Sequence, residues 1–238
     1  MGPNRRAALY AGVLFIIATV ANIIGVGLSR SLLDDPDPLA AISSHANRVA
    51  AGALLELVAA GACVGIAIAL YPVLKKWGAS AALGSVVFRT AEAVMYMICV
   101  ASLLSLLALS QRFISAGAAD PSSYRTVGQA FLDVREQAAL VAVFAFSVGA
   151  FLYYGLFYRS RLVPRWLSVW GIGAVILMFL ACVLALFTQN DLTTYTILAL
   201  PIGVQEMVLA VWLIAKGFSV PAPPSMRVAE REPASIGS

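Results

Sequence analysis

Charge is scarce in this chain. Only 12% of its 238 residues are charged, about half the share of an ordinary soluble domain, while 61% are hydrophobic. Too little polar surface exists to solvate a globule of this size, so lipid has to cover the remainder. Histidine occurs once, at His45, and cysteine three times, at Cys63, Cys99 and Cys182, each inside an apolar run. An odd number of thiols in such positions argues against a disulfide framework, and they read as small packing residues. No Cys or His pair has ligand spacing, so neither a zinc or haem site nor any other cofactor is expected. Ser-His, Cys-His and HExxH arrangements and phosphate-binding glycine loops are also missing, which leaves a hydrolase or a nucleotide-driven pump without visible machinery. An enzyme is therefore not the favoured expectation. Alternating strand patterns are absent as well, which excludes a barrel and leaves an all-α membrane bundle.

What is present is a set of six long apolar runs: Ala7 to Leu28, Val49 to Leu74, Ala79 to Leu109, Ala138 to Tyr158, Trp166 to Thr188 and Leu192 to Ala215. Each suffices to cross roughly 30 Å of hydrocarbon at about 1.5 Å per residue. The first stays apolar for too long to be the core of a signal peptide and is read as an uncleaved span. Six spans place the N-terminus, the second and fourth loops and the C-terminus on one side. That side carries ten basic residues, namely Arg5, Arg6, Lys75, Lys76, Arg159, Arg161, Arg165, Lys216, Arg227 and Arg231. The other side carries five: Arg30, Arg48, Arg112, Arg125 and Arg135. The bias predicts both termini in the cytoplasm and a plasma-membrane location. It also explains the net charge of +4 as topology rather than as a nucleic-acid surface. Tyr71, Trp77, Tyr158, Trp166 and Phe218 read as aromatic anchors at the inner ends, and Tyr195 as one at the outer end.

Two outer loops carry a helix start, Asp37-Pro38 and Asp120-Pro121, each an N-cap acceptor followed by a first-turn proline. After Asp120 the residues Tyr124, Val127 and Phe131 recur at helical spacing, which predicts a short interfacial helix leading into the fourth span, or else a lid over an outward cavity. Residues 1–218 read as one transmembrane domain. From Ser219 the tail is rich in Pro, Ser and Ala without periodicity, and is expected to be disordered.

Four charged residues lie well inside spans: Glu56, Arg89, Glu92 and Glu206. Each costs roughly 2.5 to 3.5 kcal/mol at mid-membrane, so the bundle must supply partners. Ser85, Arg89, Glu92, Tyr96 and Cys99 form one polar stripe on the third span. Glu56 shares a face with Gly52, Ala59, Ala60 and Cys63, Glu206 with Ala199, Gly203 and Ala210, and Asn22 with Ala18 and Gly25; such small residues let helices approach closely. Gly61-x-x-x-Gly65 is a further packing signal, though a common one. Counting from the cytoplasmic ends puts Arg89 and Glu206 at about 15 Å, Glu92 at about 20 Å and Glu56 at about 22 Å, so all four are expected in one layer. Three carboxylates against one Arg leave up to two negative charges unbalanced, and at least one of the three is expected to hold a proton. Asn22, Glu56, Arg89, Glu92, Tyr96 and Glu206 are thus the candidate polar site. It serves either as a lock on helix register or as a path for a proton or small solute.

The segments Phe88-Arg89-Thr90-Ala91-Glu92, Leu156 to Leu167 with its stretch Y-R-S-R-L-V-P-R-W-L, and Glu206 followed by Trp212 to Phe218 resemble a bacterial membrane family catalogued as domain of unknown function number 4386. The likeness runs from about residue 5 to 218 and implies a six-helix integral membrane protein without an assigned activity. By charge alone, Arg159, Arg161 and Arg165 beside Tyr158 and Trp166 would attract anionic lipid headgroups, at roughly 1 kcal/mol per residue, or serve only as topogenic anchors. Expected partners are membrane lipid, a second copy or a membrane-complex subunit, and a small solute or proton. A lipid-modifying enzyme nucleophile could be drawn only from Ser85 or Cys99.

Overall fold

A computed structural model describes residues 2–115 and 121–219. Seven helices carry the described residues: α1 (Pro3–Leu33), α2 (Pro38–Ser44), α3 (Ala46–Leu74), α4 (Ala79–Ser115), α5 (Pro121–Ser160), α6 (Arg165–Thr188) and, after a 3₁₀ turn at Leu192–Tyr195, α7 (Thr196–Ala215). No strand occurs among the described residues. Six of these segments, all but α2, are long and apolar enough to cross a membrane. They pack in a ring in which each touches two main neighbours, in the order α1, α3, α4, α5, α6, α7 and back to α1.

Small residues set a close crossing of α1 and α3. Gly25 on α1 and Gly52 on α3 meet face to face, and a methyl added at either would come within 2.9 or 2.8 Å of the other's carbonyl oxygen. This is where the stripes of Asn22 and Glu56 put their small residues. The Gly61-x-x-x-Gly65 signal is only half used, because Gly65 packs on Leu14 while nothing approaches Gly61.

The ring closes between the first and last helices. Arg5 donates to the carbonyls of Leu213 and Ile214 at 2.9 and 2.6 Å, placing a cation on the unsatisfied C-terminal end of α7. Gly217, in the left-handed conformation at φ 74°, ends that helix against the Arg5 side chain. The N-terminus and the end of α7 therefore share one end of the bundle. At the same end Phe218 packs on Phe157 and the Ser219 amide donates to Leu162 O at 2.9 Å. Phe218 is thus a core residue rather than a lipid anchor.

Two loop expectations change. The segment after Pro121 is not a separate interfacial helix but the first part of the continuous 40-residue α5. Most of its apolar side packs inside the molecule, since Tyr124, Phe131 and Leu132 lie on a cluster of Leu39, Ile42, Val100, Leu103, Leu106 and Phe113, while Val127 is exposed. Asp120 lies outside the described residues, as does the tail beyond Ser219. Pro38 does open α2, but the Asp37 side chain makes no capping bond and stands 3.7 Å from Arg125 instead.

Candidate functional site

The four intramembrane charges separate into two levels. Glu56 does not join Arg89. It is 4% exposed and receives two hydrogen bonds from Arg135 Nη2, at 2.7 and 2.9 Å. Arg135 Nη1 donates to Cys99 O at 2.9 Å, and the Cys99 thiol donates back to Arg135 O at 3.3 Å. Depth explains the partner: from the Leu74 end of α3, Glu56 lies at about 27 Å, near the far edge of the hydrocarbon, whereas Arg89 on α4 lies at about 15 Å. Arg135 falls to the outer loop in a reading that starts the fourth span at Ala138. The unbroken α5 instead carries it into the wall of the bundle.

This pair borders a cavity of about 290 Å³ between the far ends of α1, α4 and α5 and the 3₁₀ turn. Asn22, Ser29, Tyr96, Gln129, Glu136 and Thr193 also line it. Of the candidate residues, Asn22, Glu56 and Tyr96 are thus brought together. The same face of α5 continues past the cavity, with Arg125, Gly128, Gln129 and Leu132 lining a neighbouring hollow under the α1–α2 loop.

The second level lies midway along the ring. Arg89 and Glu92 are 2% and 3% exposed, with Nη1 3.0 Å from Glu92 Oε2. The contact is one of charge, because Arg89 Nε and Nη1 and Glu92 Oε2 make no aligned hydrogen bond among the described residues. The i, i+3 spacing brings the two groups near each other without turning the guanidinium edge onto the carboxylate. The guanidinium also lies over the Phe146 ring, 5.0 Å from its centre. Gly149, one turn from Phe146, lets α5 approach the Arg89 backbone. Cys63 on α3 faces the Glu92 carboxyl. Glu206 on α7 accepts a hydrogen bond from Tyr153 at 3.2 Å. Beside it, Tyr154 donates to Gln205 Oε1, and Gln205 Nε2 donates to Leu167 O at 3.1 Å. Gly171 leaves room for the Tyr154 ring, since a methyl there would sit 2.5 Å from it.

Arg135, Gln205, Tyr153 and Tyr154 were not among the residues that sequence reasoning singled out. The polar Gln205-Glu206 step and the Tyr153-Tyr154 pair inside apolar runs were the available signals. Arg159, Arg161 and Arg165 are exposed around the α5–α6 turn, with Arg165 lying over the Tyr158 ring at 5.4 Å from its centre. Ser85 binds its own helix, donating to Ala82 O at 2.8 Å.

The family model described as Domain of unknown function (DUF4386) matches residues 10–217, nearly all of the ring. The chain belongs to this family. No curated protein and no solved structure matches it. The DUF4386 match takes in both polar levels, from Asn22 to Glu206, and stops just short of Phe218, where the described packing ends.

Proposed function

We propose that this DUF4386 chain is a multi-pass plasma-membrane protein with both ends in the cytoplasm, and that it binds a small polar solute at its outer end. The observation that carries this reading is the cavity of about 290 Å³ bordered by the Glu56–Arg135 pair, Asn22 and Tyr96. A hollow with a few convergent polar groups and a charged residue at its edge is the usual form of a small-ligand site. The mid-membrane Arg89–Glu92 contact lies within α4, and neither residue lines this cavity. The loop-charge bias, ten basic residues against five, supports the orientation; the involvement of Arg135 in the bundle sharpens it to ten against four. The exposed arginines at the α5–α6 turn then face the inner leaflet and its anionic headgroups.

The test is a thermal-shift screen of small polar solutes against the purified protein in nanodiscs. A solute that binds the folded state at a hundred times its Kd stabilises it by about 2.7 kcal/mol. Wild type should show such a shift for at least one solute class, and Asn22→Leu, which fills the cavity from α1, should lose it while keeping the unliganded melting temperature. A shift retained in Asn22→Leu, or no shift with any class, contradicts the site.

A further inference from the structure

With Glu56 balanced by Arg135, the mid-membrane level holds one cation, Arg89, and two carboxyl groups, Glu92 and Glu206. We infer that this level is a proton-binding site that holds a single proton at neutral pH, carried by Glu206. If both carboxyls were ionised, the ring would keep a net negative charge at about 15 Å depth, halfway through hydrocarbon that solvates no ion. One bound proton makes the level neutral. Glu92 is the carboxyl in direct charge contact with the guanidinium, at 3.0 Å, so it keeps the negative charge. Among the described residues the hydrogen bond to Glu206 comes from the phenol of Tyr153, a neutral donor at 3.2 Å, which suits the carbonyl oxygen of a neutral acid.

The titratable groups facing Glu206 are Arg89 and Glu92 from α4, Cys63 from α3, and Tyr153 and Tyr154 from α5. Of these only Arg89 is a cation, and its charge is shared with Glu92. Tyr154 is engaged with Gln205, which leaves Tyr153 as the hydrogen-bond partner of Glu206. The inference stands independently of the outer cavity, since none of its residues lines that hollow.

Infrared spectroscopy of the full chain in lipid near pH 7 reads the proton directly, because a protonated carboxylic acid has its own carbonyl band. Wild type should show one band from this level, and Glu206→Gln should show none. Arg89→Gln should double it, because both acids must then be neutral. Tyr153→Phe, which leaves the acid in place, should shift the frequency of the band by removing its hydrogen-bond donor, and it serves as the arm least disturbing to the fold. Absence of the band in wild type overturns the inference. So does a band that survives Glu206→Gln, one that Arg89→Gln leaves unchanged, or one whose frequency Tyr153→Phe does not move.

Discussion

Replacing the Glu56 carboxylate by a neutral amide would leave the Arg135 charge in the bundle wall uncompensated. Breaking one partner of a buried pair costs about 3 to 5 kcal/mol, and Glu56→Gln should approach that loss in a denaturant titration in micelles. Replacing both, Glu56→Gln with Arg135→Gln, should cost less than the two single changes summed, because no lone charge remains. A sum that is simply additive would show the pair to be uncoupled. The Arg89–Glu92 contact was legible in the sequence because it lies within one helical turn. The Glu56 pair was not, since its partner is 79 residues away and depth counting alone offers any cation at a similar level.

At the scale of the element, the Gly25–Gly52 crossing fixes how close α1 and α3 come. Gly52→Val forces their backbones apart and should destabilise by about 1 to 3 kcal/mol, whereas Gly61→Ala meets open space and should be neutral or slightly stabilising. Thermal denaturation of the two variants side by side checks the contrast, and equal losses would contradict the crossing. The stripe of Ala18, Asn22 and Gly25 could be read from spacing alone; which of several glycine pairs would meet could not, because spacing does not say which helices are neighbours. The start of α5 misled for a related reason. A polar opening with apolar residues at helical spacing looks interfacial until a partner surface on α2 and α4 exists to cover it.

The whole molecule is a closed ring whose α4 and α5, at 37 and 40 residues, run to about 55 and 60 Å, well past roughly 30 Å of hydrocarbon. Their far ends, with that of α1 and the 3₁₀ turn, enclose the cavity of Asn22, Glu56 and Tyr96, which is why six spans were countable from hydropathy but the cavity was not. Closure depends on Arg5, and Arg5→Gln should lose about 1.5 to 3 kcal/mol in unfolding experiments through its bonds to the α7 carbonyls. In the function proposed above, the cavity of Asn22, Glu56 and Tyr96, and not the mid-membrane level, is open to solutes from outside the cell. Thiol accessibility in sealed right-side-out vesicles tests it most directly, comparing Asn22→Cys in a cysteine-free background with a variant keeping only Cys63. A membrane-impermeant maleimide should label position 22 and leave Cys63 untouched; label at Cys63, or at position 22 only in inverted vesicles, would contradict the account.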